Sequence, residues 1–261
     1  MGRIMTTTLA VANQKGGVAK TTSVASLGAA LAELGQKVLL VDLDPQACLT
    51  FSLGIDPEDL EVSVHHVLTK GLAPGEVLIE TEDGVDLLPA TIELARAEAD
   101  LLTRTGREQA IRAALELLSE HDLVYDWILL DCPPSLGVLT VAALTAADGV
   151  LIPLQCETLS HRGVGQLLDT VHDVRRFTNR GLQVWGVLPT LYDGRTNHAR
   201  RVLETISETY ELDVIEPPIP KTIKFAEAPA AGRSILATSR NSKGATAYRE
   251  VAANLLARSR A

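Results

Sequence analysis

Aromatic residues make up only 3% of the 261-residue chain, so its core must be built mainly from Leu, Val, Ile and Ala. Cysteine is sparse too. Cys48, Cys132 and Cys156 stand far apart and form no CxxC pair, which argues against a thiolate metal site or a disulfide framework. Buried thiols in a reducing cytoplasm fit this usage, and no secretory leader is read at the N-terminus. No run of about 18 apolar residues occurs, so no membrane-spanning helix is expected. Positive charge is also short: 24 Lys and Arg against 33 Asp and Glu leave a formal net charge of −9. That balance excludes a surface given over wholly to nucleic acid. A local basic patch remains open, because counter-charges act within about 8 Å at physiological salt. The histidines show no HxxxH spacing and are read as non-catalytic, with His65 and His66 on a surface helix.

What the chain does have is alternation. Apolar runs at 8–13, 37–42, 85–89, 127–131, 149–154 and 183–188 read as strands. Helical patterns at 20–34, 107–119, 138–146, 163–177 and 197–210 lie between them. Runs such as WILLD lack polar alternation, so they are expected to be buried on both faces of a mostly parallel sheet. The fold class is therefore α/β, doubly wound, with helices on both faces. A single domain is expected over 8–261, after a short extension at 1–7. The proline-rich stretch 217–243 reads as a long structured loop region, which in a compact domain is usually functional.

The segment Asn13-Gln14-Lys15-Gly16-Gly17-Val18-Ala19-Lys20-Thr21-Thr22 follows a strand and opens a helix. Glycines let backbone N–H groups turn toward phosphate oxygens, and the helix N-terminus adds a favourable dipole. Lys20 would reach the β- and γ-phosphates of ATP, and the Thr21 hydroxyl would face Mg²⁺. The ordinary Walker spacing is not met, since Gln14 and Ala19 stand where its two glycines belong. Lys15 is an extra lysine, and a second ammonium near the γ-phosphate can offset charge that develops in the transition state.

Three carboxylates accompany the loop. Asp42 and Asp44 end the second strand, and residues two apart face the same side, so both are expected to point toward the nucleotide. Either could hold a magnesium-bound water or orient the attacking water. Asp131 ends the apolar run 127–131 and is expected to meet Mg²⁺ through water.

KGGVAKTT resembles the deviant Walker A loop of the ParA/MinD group of ATPases, in which glycine usually stands at the place of Ala19. DLDPQ (42–46), LLDCPPSLG (129–137), LPTLYD (188–193) and IPKTIKFAEAP (219–229) resemble the ParA/Soj side of that group more than the MinD side. The matches run from about residue 9 to 256. The resemblance implies ATP and Mg²⁺ as ligands, with 15–22 around the nucleotide and Pro220 near the adenine. It implies a homodimer formed with ATP, in which Lys15 reaches the partner's phosphates and Asp44 orients the hydrolytic water. It further implies slow hydrolysis stimulated by a ParB-like protein, DNA binding without sequence preference, and a cytoplasmic, nucleoid-associated role in chromosome or plasmid partitioning.

Between Pro217 and Arg249 stand six Lys or Arg residues and one acid, Glu227, which reverses the sign of the chain. Such charge can neutralise phosphates and release counterions. With the resemblance, Arg195, Lys221, Lys224 and Arg233 are the expected DNA contacts. A MinD-like membrane-surface ATPase is the alternative, through an apolar face on 247–257 carrying Tyr248, Val251, Ala252, Leu255 and Leu256. Docking of that helix on the sheet is the favoured reading, and no membrane partner is expected. A metabolic enzyme using this loop, like dethiobiotin synthetase or the nitrogenase iron protein, is a further alternative.

Overall fold

The computed structural model describes residues 6–121, 123–157 and 160–260. The first five residues of the expected extension 1–7 lie outside that range. Seven strands form one sheet: β1 (Thr7–Val11), β2 (Val38–Asp42), β3 (Ile79–Glu80), β4 (Asp86–Leu88), β5 (Trp127–Asp131), β6 (Gly149–Gln155) and β7 (Gln183–Thr190). Their order is β3-β4-β2-β5-β1-β6-β7. All pairs are parallel except β3 with β4. Every residue of β2 and β5 is buried, which is why these strands read as unbroken apolar runs.

The helices are α1 (Lys20–Glu33), α2 (Cys48–Ser52), α3 (Val64–Lys70), α4 (Leu94–Leu102), α5 (Ala110–Glu120), α6 (Val138–Ala146), α7 (Ser160–Phe177), α8 (Asn197–Tyr210), α9 (Lys224–Glu227), α10 (Ile235–Thr238) and α11 (Lys243–Ser259). They cover both faces of the sheet, giving two apolar layers. In one, Leu27 and Leu31 of α1 meet Leu9, Leu40 and Leu129 with Tyr248 and Val251 of α11. In the other, Leu39, Val41 and Leu130 meet Leu139, Val164 and Leu167. Gly28 explains how closely α1 lies on β2: a Cβ there would stand 2.7 Å from Leu40 Cδ2.

Some expectations need correction. The sequence pattern does not predict the short β3 or the helices α2 and α4. His65 does lie on a helix, but it is 5% exposed, so it belongs to the interior rather than the surface. The stretch 217–243 is not simply loop. Phe225, Ile235 and Leu236 are buried in the core, and their burial fixes the short helices α9 and α10. On α11 Tyr248, Val251, Ala252 and Leu255 are all buried, so the apolar face that a membrane-surface reading needs is covered within the fold. Among the described residues no helix is long and apolar enough to cross a membrane.

Candidate active site

Parallel pairing sets the site. Val11 pairs in register with Asp131, and Asp42 pairs with Asp131 on the other side. Three adjacent strands, β2, β5 and β1, therefore end at one level, and the loop 12–19 rises from the end of β1. Two side chains hold that loop. Asn13 Nδ2 donates to the Pro153 carbonyl (2.8 Å) while its Oδ1 accepts the Lys15 N–H (3.0 Å). Thr190 donates its hydroxyl to the Val18 carbonyl (2.9 Å), tying the loop to β7. Val18 is fully buried, so it anchors the loop, whereas Gly16 and Gly17 are exposed.

Gly17 has φ +74° and Ala19 has φ +62°. Both lie in the left-handed region, which costs a non-glycine residue roughly 1–2 kcal/mol. This accounts for the glycine that the resembled pattern carries at Ala19, and here the chain sustains that strain. Thr21 and Thr22 follow on the first turn of α1, half-buried.

Lys20 is 7% exposed, and its Nζ donates to the Lys15 carbonyl (3.2 Å). Burial pulls its ammonium below the usual lysine range, against the opposing pull of Asp131, Cys132 and Asp44. Lys15 Nζ is paired with Glu157 just after β6 (2.5 Å).

The carboxylates divide the work differently from expectation. Asp42 is turned into the protein interior, where both of its oxygens accept protein donors. It is fully buried; its Oδ2 accepts the Thr50 N–H (2.9 Å) and hydroxyl (2.8 Å), and its Oδ1 accepts the Asp44 N–H (3.1 Å). Burial pushes its carboxyl up to about 6, against those donors. Asp44 lies beyond the end of β2, half-buried, and its Oδ1 caps the turn by accepting the Gln46 N–H (3.0 Å).

Asp131 is 1% exposed, and among the described residues neither carboxylate oxygen meets a hydrogen-bond partner at good geometry. Burial and the neighbouring Asp42 hold it well above the carboxylate range, while the Thr21 hydroxyl and Lys20 pull it down. Buried polar atoms are normally paired, so an orphaned carboxylate beside a threonine hydroxyl and a lysine fits a divalent cation site completed by ligand. Thr21 and Asp131 would hold Mg²⁺.

A stability cost follows from this arrangement. Because the folded value of Asp131 is raised above 3.8, its contribution is full at low pH and is lost as pH rises through the folded value. Nucleotide-free Asp131→Asn is expected to melt above the wild type at pH 8, with the gap narrowing toward pH 5. Relief of about 1–3 kcal/mol at about 2–4 °C per kcal/mol gives a readable shift in a thermal melt. The same variant should lose the extra stability that MgATP confers.

Pro220 is half-buried and bridges to Tyr192 at the carboxyl end of β7. The Tyr192 N–H donates to the Ile219 carbonyl (2.9 Å), and the Lys221 N–H donates to the Tyr192 carbonyl (3.3 Å). These bonds set the Arg195 loop beside Lys221. Arg195 forms a forked pair with Asp193 (2.9 and 2.8 Å) and holds that carboxyl down at about 2. Lys224 pairs with Glu227 (2.7 Å). Arg233, the fourth expected DNA residue, is committed elsewhere: its guanidinium is bound to Asp83, whose side chain is 2% exposed (3.0 Å), and to Glu82. It acts as a strut to the turn between β3 and β4.

Sequence reasoning missed Asn13, Thr190, Thr50 and Glu157 as parts of this site. Asn13 adjoins the glycine-rich loop and could have been suspected; the other three carry no local signal.

A strand, a glycine-rich turn, a lysine and a threonine at a helix start, and an acidic strand end beside them define a phosphate-binding-loop nucleotide hydrolase. Comparison with known proteins narrows this. A family model described as an AAA domain matches residues 6–184. The sporulation initiation inhibitor protein Soj of Bacillus subtilis is 42% identical over 259 residues, spanning 97% of this chain and 100% of that protein. The chromosome partitioning protein ParA of Caulobacter vibrioides is 38% identical over 253 residues, spanning 97% and 94%. A crystal structure described as cobyrinic acid a,c-diamide synthase from Mycobacterium smegmatis, with bound ATP analog and magnesium, superposes with TM-score 0.86 at 56% identity, spanning 97% and 95%. The chain belongs to the ParA/Soj family of P-loop ATPases, enzymes that hydrolyse ATP with Mg²⁺.

Proposed function

We propose that this ATPase is a dimerising switch that binds duplex DNA without sequence preference when loaded with ATP, and that it acts in chromosome or plasmid partitioning. Hydrolysis, stimulated by a ParB-like protein, returns it to a monomer that leaves the DNA, and the setting is the cytoplasm, at the nucleoid. The observation that carries the reading is the backbone pairing of Tyr192 with Ile219–Lys221 beyond β7, which draws together the segments carrying Arg195 and Lys221, with Lys224 close in sequence, in a chain of net charge −9.

In the proposed cycle the loop 15–22 wraps the phosphates, Lys20 neutralises the β- and γ-oxygens, and Thr21 and Asp131 hold the metal side. When bound, Mg²⁺ spreads the negative charge of those oxygens. Asp44 accepts a hydrogen bond from the attacking water and orients it. Lys15 leaves Glu157 and reaches the phosphates of the second protomer. Dimerisation doubles the basic patch on one rigid body, and avidity then raises DNA affinity without new contacts. Arg195 and Lys224 are already paired with acids, but exposed pairs of this kind are weak enough for a phosphate to replace the carboxylate.

The test is affinity for two unrelated duplexes across a salt series, with ATP, with ADP and with neither. Tight binding is expected only with ATP and equally for both sequences. Lys224→Glu should weaken both alike and lower the slope of log affinity against log salt by roughly 0.9 per lost contact, while ATP binding stays intact. Binding that ignores nucleotide, or that survives charge reversal at Arg195 and Lys224, contradicts the reading.

The diamide-synthase relative supports a second reading, ATP-driven activation of a carboxylate for amidation. The thiols offer it little as a nucleophile: burial raises Cys132 and lifts Cys156 to about 11, and Cys48, exposed rather than buried as expected, is raised by partial desolvation and the nearby carboxylates of Asp44, Asp42 and Asp131. ATP consumption stimulated by cobyrinic acid with ammonia or glutamine, and not by DNA, would favour it.

A further inference from the structure

We infer that Thr50 is a positioning residue for ATP hydrolysis, holding the backbone from which Asp44 reaches the attacking water; this rests on the reading of Asp44 given above. Thr50 lies on α2 and is fully buried. Its hydroxyl works in both directions. It accepts the N–H of Ala90, 40 residues along the chain (2.9 Å), and it donates to Asp42 Oδ2 (2.8 Å). With the Ala90 N–H on one lone pair, the hydroxyl proton is directed at Asp42, so the donor direction is set and not free to rotate. The Thr50 N–H donates to the same carboxylate oxygen (2.9 Å). The other oxygen of Asp42 accepts the Asp44 N–H (3.1 Å), and the Asp44 carbonyl accepts the Ala47 N–H (2.8 Å).

A continuous chain therefore runs from the end of β4 through the Thr50 hydroxyl and the Asp42 carboxylate to the backbone of Asp44. Asp42, fully buried, is the clamp in that chain, and Thr50 supplies two of its three donors. Replacing the hydroxyl by a methyl group leaves the Ala90 N–H buried without a partner and the Asp42 carboxylate with one donor fewer. The carboxylate can then turn, and the turn that carries Asp44 shifts with it. Hydrolysis demands close placement of the water-orienting group, whereas phosphate binding rests on the loop 15–22. The loss should appear in turnover and not in ATP affinity.

The experiment compares Thr50→Val, Thr50→Ser, Asp44→Ala and the double variant Thr50→Val/Asp44→Ala for single-turnover ATP hydrolysis, ATP affinity and melting temperature. Thr50→Val should lose about tenfold or more in turnover with ATP affinity within about twofold. Thr50→Ser keeps the hydroxyl and loses only a methyl group, so its turnover should stay near wild type even where its melting temperature falls. The double variant should be no slower than Asp44→Ala, because both act through one group. If Thr50→Val does not fold, Thr50→Ala takes its place with the same expected results. Turnover that follows melting temperature rather than the hydroxyl, or losses that add in the double variant, overturns the inference. Asp44→Ala with wild-type turnover overturns the reading of Asp44 and the inference with it. Lost turnover in Asp44→Ala with full turnover in Thr50→Val overturns the inference alone.

Discussion

Lys20→Ala should abolish measurable MgATP binding. Lys20 is 7% exposed at the start of α1, and its ammonium lies within the electrostatic reach of Asp131 and Asp44. Bringing two phosphates against these carboxylates without that ammonium sets anion against anion in a buried site. Charge-assisted hydrogen bonds contribute about 1.5–3 kcal/mol each, so losing two corresponds to about 10²–10⁴-fold in affinity. Removal also leaves Asp131 without its nearest cation, so the remaining site is worse than a simple deletion suggests. Titration calorimetry measures this directly. The melting shift caused by MgATP should vanish in parallel. Unchanged affinity in Lys20→Ala would mean that the loop does not cradle the phosphates.

Asp44→Ala should separate the switch from the chemistry. Asp44 contributes to the turn through its Oδ1 bond to the Gln46 N–H, which is exposed and replaceable by solvent. ATP should still bind, and the dimer should form and persist. Hydrolysis should fall by about 10²-fold or more, the range for loss of a water-orienting base. Lys15→Ala should give the converse: ATP binds, but the protein stays monomeric by light scattering. Lys15 is held by Glu157, with 31% of its side chain exposed, so it is close to the surface and able to leave. A Lys15→Ala variant that dimerises normally with ATP would remove the trans-acting role and leave Lys15 as a surface residue.

Much of the fold is legible in the amino-acid sequence alone. The apolar runs 37–42 and 127–131 announce β2 and β5 because both faces of those strands are covered, and the loop is evident from its glycines and lysines between a strand and a helix. Strand ends are displaced by a residue or two, since partner register and not local sequence decides where pairing stops. Asp42 shows where pattern reasoning runs out. Period-two alternation puts Asp42 and Asp44 on one face, but β2 ends at Asp42, so the rule does not reach Asp44. Asp42 turns inward because Thr50 and the Asp44 backbone supply its donors. Thr50 itself carries no signal, because its partner Ala90 is distant in the chain. The basic count from 217 to 249 is correct as a count. It could not show that Arg233 is committed to Asp83 and Glu82, or that Arg240 and Arg249 share Glu33 at the end of α1.

In the proposed cycle nucleotide sets the oligomer, and the oligomer sets the DNA contact. Sedimentation velocity of the Asp44→Ala protein with a labelled duplex, at matched salt in MgATP and in MgADP, reads both at once. In MgATP the protein should sediment as a dimer and carry the duplex with it; in MgADP it should sediment as a monomer and leave the duplex behind. One protein mass and one extent of DNA association under both nucleotides would contradict it.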